Sequence, residues 1–165
     1  MVCGTMPHKT NQDRDGFMRI ALFEPDIPQN AATIIRLGAC LGLPIDIIEP
    51  CGFLFSDAGL RRAGMDYLDL AEVSRHRGWD QFVASVQGRI VLMTTKAAVP
   101  YTAFSFQPGD IILLGRESAG VPEHVHRRAD ARLRVPLRDG RRSLNVAITA
   151  AMAAGEALRQ TGGFP

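Results

Sequence analysis

The sequence predicts an α/β domain built on a mostly parallel sheet with helices on both faces, and three observations predict it. Short apolar runs alternate along the chain with stretches of helical period. These runs are apolar throughout rather than at every second residue, as strands covered on both faces are. The 165 residues, 46% of them hydrophobic and 22% charged, suffice for one domain with a sizeable core.

Taken in order, residues 18–24 (MRIALFE) read as the first strand. Residues 1–17 are polar and are set aside as a flexible N-terminal extension, leaving 18–165 as a single domain. Residues 28–41 carry Ala31, Ile34, Ile35, Gly38 and Leu41 at helical spacing. Residues 45–49 form a short apolar strand stopped by Pro50. A short helix is expected over 56–63, started by Ser56 or Asp57. A strand is expected over 68–73, a short amphipathic helix over 79–86, and a strand over 89–95 (RIVLMTT). Residues 110–115 (DIILLG) form an apolar strand ending in glycine, and 132–135 another short one. An alanine-rich helix over 143–159, with Ser143 as N-cap, ends before Gly162 and Gly163.

The bulk features exclude several classes. The longest apolar run, 146–155, is far short of the roughly 20 residues that span a membrane. Cys3, Cys40 and Cys51 form no CxxC, and an odd count argues against a disulfide framework, so a reduced, cytoplasmic setting fits best. Cys40 is expected in the core. His124 and His126 have no nearby metal-ligand partner, and no metal is expected. There is no GxGxxG, P-loop or GxSxG signature. The net charge of +2 says little. Its distribution says more: seven arginines (127, 128, 132, 134, 138, 141, 142) stand against Asp130 and Asp139, a local +5 suited to phosphates. The same cluster is also what a solvated face looks like in a chain rich in arginine and poor in lysine.

In open α/β sheets, ligands sit beyond the carboxyl ends of the strands. Attention therefore falls after Glu24, Thr95 and Gly115. The first place leads into Asn30 and Arg36, the latter a cation in an apolar stretch or simply on the polar face. Residues 114–122 (LGRESAGVP) make a loop whose glycines can turn backbone N–H groups toward a nucleotide, or an ordinary strand-to-helix turn. Residues 141–145 (RRSLN) open the last helix. Its N-terminus can receive an anion, and capping explains Ser143 better than Asn145.

In this order the motifs resemble the SPOUT class of RNA methyltransferases. The resembling stretches are FEPDIPQNAATIIRL, IIEPCGF, LRRAGMDY, MTTK, LLGRESAGVP and RSLN, and they cover nearly the whole chain from Met18 onward. Within the class the chain looks most like the small single-domain tRNA (cytidine/uridine-2′-O)-methyltransferases that act at the wobble base, position 34. The resemblance implies a SPOUT-type sheet with a C-terminal trefoil knot, a feature otherwise nearly absent from proteins. It implies a homodimer whose active sites are completed across the interface. S-adenosyl-L-methionine is the implied donor, S-adenosyl-L-homocysteine the product and tRNA the substrate, leucine isoacceptors foremost; neither DNA nor membrane is an implied partner. Met93, Gly115, Val135, Leu137 and Ser143 match donor-binding positions. Asn30, Arg36, Glu117, Ser143 and Asn145 match the polar catalytic positions, Arg36 being the residue usually assigned to catalysis. Arginine is a poor base, with a pKa above about 12. Arg36 could act in a depressed state, or position a phosphate while another group takes the proton. Arg61, Arg62, Arg138, Arg141 and Arg142 are the candidate RNA contacts. Two departures stand out: Ala31-Ala32-Thr33 where relatives often carry glycine, and Val146-Ala147-Ile148 where close relatives often carry serine and asparagine. They leave open a non-catalytic RNA-binding protein of the same fold, or methylation of another RNA.

Overall fold

The computed structural model describes residues 16–54 and 70–165. The strands are β1 (Arg19–Phe23), β2 (Ile45–Ile48), β3 (Val73–His76), β4 (Ile90–Met93), β5 (Val99–Pro100), β6 (Ile111–Leu114) and β7 (Ala131–Arg134). The helices are α1 (Pro28–Leu41), α2 (Trp79–Ser85), α3 (Glu123–Arg128) and α4 (Val146–Thr161). A 3₁₀ turn occupies Tyr101–Ala103. The strands form one seven-stranded sheet in the order β3-β2-β1-β6-β4-β7-β5. Every pairing in it is parallel.

All residues of β2, β4 and β6 are buried, which is why these strands read as unbroken apolar runs. Alternate side chains divide between two cores. Ile20, Leu22, Ile45, Ile47, Val91, Met93, Ile112 and Leu114 meet α1 and α4 on one face. Ala21, Phe23, Ile48, Ile90, Leu92, Ile111 and Leu113 meet Phe82 of α2 and Val125 of α3 on the other. Small side chains set the close approach on the first face. Ala147, Ala150, Ala153, Ala154 and Ala157 are buried along α4, and Ala31, Ala32 and Gly38 along α1. A Cβ on Gly38 would lie 2.6 Å from the Leu43 carbonyl oxygen and 2.7 Å from Ile45 Cδ1.

Four expectations are corrected. The strand expected over 68–73 lies instead at Val73–His76. Leu70 is 73% exposed, so its apolar character does not mark a buried strand. β3 is held by a polar anchor: His76 Nε2 meets the fully buried Asp46 at 2.7 Å, and Arg19 Nε meets the same carboxylate at 2.7 Å. The last helix starts at Val146, and its N-cap is Asn145 rather than Ser143. Asn145 Oδ1 accepts from the Ala147 N–H (2.8 Å) and the Ile148 N–H (3.4 Å), donors that the helix cannot satisfy itself. Cys40 is exposed on α1 rather than in the core. Two short elements, β5 and α3, carry too few residues for a period to reveal them. The helix expected over 56–63 lies outside the described residues. Among those described, no helix is long and apolar enough to cross a membrane.

Candidate active site

Strands β1, β4, β6 and β7 all deliver their carboxyl ends to one edge of the sheet. A cleft of about 560 Å³ opens there. Its wall comes from Met93, Thr94 and Thr95 after β4, from 114–121 after β6, and from Val135 and Leu137 after β7. Ile27 and Asn30 at the start of α1, with Arg142, Ser143, Leu144 and Asn145 before α4, complete it. The three places singled out, after Glu24, Thr95 and Gly115, thus meet in one cleft with a fourth, after β7.

The loop after β6 owes its shape to two glycines. Arg116 and Gly120 exchange backbone hydrogen bonds of 3.0 and 2.9 Å, closing the loop on itself. Gly120 has φ +66°, a region that side chains disfavour. A Cβ on Gly115 would lie 2.7 Å from the Gly120 carbonyl carbon. Arg116 is ion-paired with Glu24 at the end of β1.

A polar chain crosses the cleft. Asn145 Nδ2 donates to Asn30 Oδ1 at 2.9 Å, and Asn30 Nδ2 donates to Glu117 Oε1 at 2.9 Å. Glu117 Oε2 accepts the Asp26 N–H at 3.2 Å. Burial, reinforced by the neighbouring Asp26 carboxylate, pushes the Glu117 carboxyl above its ordinary range. The hydrogen bond with the Glu117 side chain, helped by Ser118 and backbone N–H groups, holds Asp26 down at about 2. Two facing carboxyls are thereby driven apart, one toward the neutral and one toward the ionised form.

Of the residues that the sequence singled out, Met93, Gly115, Val135, Leu137, Ser143, Asn30, Glu117, Asn145 and Arg142 all line this one cleft. Arg36 does not. It is exposed on α1, and the six-residue spacing carries it around the helix axis away from Asn30. Arg138 and Arg141 are exposed just before α4, outside the lining. Arg61 and Arg62 lie outside the described residues. At the α4 N-terminus, Asn145 Oδ1 accepts from the Ala147 and Ile148 N–H groups, so capping uses two of the donors that the sequence reading offered to an anion. Sequence reasoning missed Asp26, Thr94 and Arg116. Asp26 stands in the quoted FEPDIPQN stretch, but its partners are 91 and 92 positions away. His124 is exposed beside Trp79 while His126 is buried, and among the described residues no cluster could hold a metal ion. Burial pushes the Cys51 thiol up to about 11, which leaves it protonated and a poor nucleophile.

Comparison with known proteins adds three findings. The model of the SpoU rRNA Methylase family matches residues 18–155. The chain is 59% identical over 146 residues to a tRNA (cytidine(34)-2′-O)-methyltransferase of Beijerinckia indica, covering 87% of this chain and 91% of that one. Two solved structures are similar. One concerns the 2-OH methylation of C/U34 on tRNA, with TM-score 0.83 and 35% identity, covering 88% of this chain and 96% of the other. The second is an AdoMet-bound rRNA methyltransferase from Sinorhizobium meliloti, with TM-score 0.78 and 26% identity, covering 93% of this chain and 61% of the other.

Proposed function

The chain belongs to the SpoU rRNA methylase family, and from that premise we propose that it methylates the 2′-hydroxyl of the wobble nucleotide, cytidine or uridine 34, of tRNA. S-adenosyl-L-methionine is the donor, and leucine isoacceptors are the expected substrates. The observation that carries this reading is the convergence of Asn30, Glu117, Ser143 and Asn145 with Met93, Gly115, Val135 and Leu137 on a single cleft.

The residues present fit such a donor. The cleft volume of about 560 Å³ is in the range of nucleoside-sized sites. Met93, Val135 and Leu137 offer an apolar lining, and the tight Gly115–Gly120 loop presents backbone rather than side chains. These residues would hold the adenosine part. When bound, the donor supplies an activated methyl that passes to the ribose 2′-oxygen, leaving S-adenosyl-L-homocysteine, while the hydroxyl proton departs to a base.

The protein's own task is alignment and handling of that proton. Asn30 and Asn145 have fixed amide orientations, so each presents a defined edge to the cleft. Glu117 receives hydrogen bonds on both oxygens and so anchors Asn30. Arg36, exposed and outside the cleft of its own chain, serves the cleft of a partner in a homodimer, where its guanidinium steadies an RNA phosphate or the developing alkoxide. Ile27 and Leu144 of the cleft lining, 41% and 40% exposed, and Ile148 in the first turn of α4, 53% exposed, support an apolar contact between protomers. Arg138, Arg141, Arg142 and, beyond the described residues, Arg61 and Arg62 would meet the tRNA backbone. Threading of the segment leading into α4 as a trefoil knot belongs to this reading, as do a cytoplasmic location and discrimination against DNA through the 2′-hydroxyl.

The test is transfer of labelled methyl from S-adenosyl-L-methionine to tRNA lacking its native 2′-O-methyl groups, with nuclease mapping of the product. Label on the ribose of nucleotide 34, lost in Arg36→Ala, is the expected result. Donor binding without label on any tRNA would point to another RNA. No donor binding would overturn catalysis and favour a non-catalytic RNA-binding protein.

A further inference from the structure

We infer that Asp26 is a positioning residue, clamping the Glu117–Ser118 segment to the end of β1 and thereby setting the place of the Glu117 carboxylate in the cleft. The inference deepens the methyltransferase reading, and rests on it for what the cleft binds.

Asp26 does not line the cleft. It sits between β1 and α1 and reaches the loop after β6 through four hydrogen bonds. Its Oδ1 accepts the Glu117 N–H at 3.1 Å. Its Oδ2 accepts the Ser118 N–H at 3.3 Å and also the Ser118 hydroxyl. Its own N–H donates to Glu117 Oε2 at 3.2 Å. The clamp therefore grips both the backbone and the side chain of Glu117. A short carboxylate suits this, because its two acceptor oxygens meet two successive N–H groups while the backbone N–H of the same residue donates to the Glu117 side chain.

The other side of Asp26 is braced independently. The Gly52 N–H donates to the Pro25 carbonyl at 2.9 Å. A Cβ on Gly52 would lie 2.8 Å from Asp26 Cβ and 2.9 Å from its Cα. The turn after β2 thus packs directly on Asp26, and the residue cannot retreat from the loop. Three stretches far apart in sequence meet at this residue, the turn after β2 on its Cα and Cβ and the loop after β6 on its carboxylate. The ionised state of Asp26, favoured first by its interaction with the Glu117 side chain and then by Ser118 and the two backbone N–H groups, keeps both of its oxygens as acceptors.

The test uses the full chain with Asp26→Ala, Asp26→Asn and Ser118→Ala. Amide hydrogen exchange is read on the protein alone, and binding of S-adenosyl-L-homocysteine by calorimetry. In Asp26→Ala, exchange at the Glu117 and Ser118 amides should speed by about tenfold or more, with Ile111–Leu114 unchanged. The dissociation constant of the homocysteine product should rise by about tenfold, with the KM for tRNA unmoved. Asp26→Asn, which keeps one acceptor oxygen, should fall between. Ser118→Ala should have a smaller effect, and should add nothing once Asp26 is Ala. If Asp26→Ala does not fold, the Asn and Ser118 variants decide by the same readouts. Unchanged exchange at Glu117 and Ser118 overturns the clamp whatever the ligand does. Failure of the wild-type protein to bind the homocysteine product instead overturns the methyltransferase reading, and leaves the exchange result to decide the clamp.

Discussion

The Asn145 amide has one orientation that satisfies its surroundings. The start of α4 offers donors, so Oδ1 faces the Ala147 and Ile148 N–H groups. Nδ2 is then left to donate to Asn30 Oδ1, and Asn30 Nδ2 in turn to Glu117. Capping and cleft geometry can therefore be separated by substitution. Asn145→Ala should cost about 1 kcal/mol of stability and also lose methyl transfer. Asn145→Asp keeps the cap acceptor and should melt near the wild-type temperature, yet lose transfer, because a carboxylate cannot donate to Asn30. Thermal melts beside single-turnover transfer check both. A second test at this scale concerns acid. Asp26 is depressed to about 2 in the folded protein, below the carboxylate's ordinary value of about 3.9. The stability it adds is complete above about pH 4 and is lost as the pH falls toward 2. The difference in melting temperature between wild type and Asp26→Asn should thus shrink across that interval. A difference that stays constant from pH 5 to about 2 contradicts the assignment.

At the scale of elements, periodicity located what packing enforces. Residues 28–41 were legible as a helix because Ala31, Ile34, Ile35 and Gly38 recur on one buried face, and α1 has those bounds. The apolar runs of β1, β2, β4 and β6 were legible because both faces are covered. β3 was misplaced because its position depends on Asp46 receiving His76 and Arg19 across the sheet, which no spacing within the strand encodes. Gly38 gives a quantitative check on the α1–β2 contact. With neighbours at 2.6 and 2.7 Å, one of them backbone, Gly38→Ala should destabilise by about 1–3 kcal/mol despite alanine's better helix propensity. A melting temperature at or above wild type would show that the turn yields freely.

For the whole molecule, Arg36 decides most. Every other catalytic candidate meets in one cleft of one chain, and Arg36 lies outside it. A site shared between protomers has a distinctive signature. Arg36→Ala and Glu117→Ala should each be inactive alone. Mixed and allowed to exchange subunits, they should recover about a quarter of wild-type activity, since half of the dimers are mixed and each mixed dimer carries one intact site. No recovery, despite subunit exchange seen by native mass spectrometry, counts against sharing. Substrate binding has its own readout. Replacing Arg138, Arg141 and Arg142 should weaken the hold on tRNA and lower the steepness of its salt dependence, by about one unit for each phosphate no longer neutralised.

The residue pattern by itself determined the α/β class, the bounds of α1, the buried strands and the motifs that became the cleft wall, because periodicity and glycine placement are local properties written in consecutive residues. Only the tertiary structure decided that Asp26 grips a loop 91 positions away, that Asn145 rather than Ser143 caps α4, and that Arg36 stands apart from the cleft. Those outcomes depend on which hydrogen-bond donors and acceptors the folded sheet brings within about 3 Å, and sequence spacing does not carry that distance.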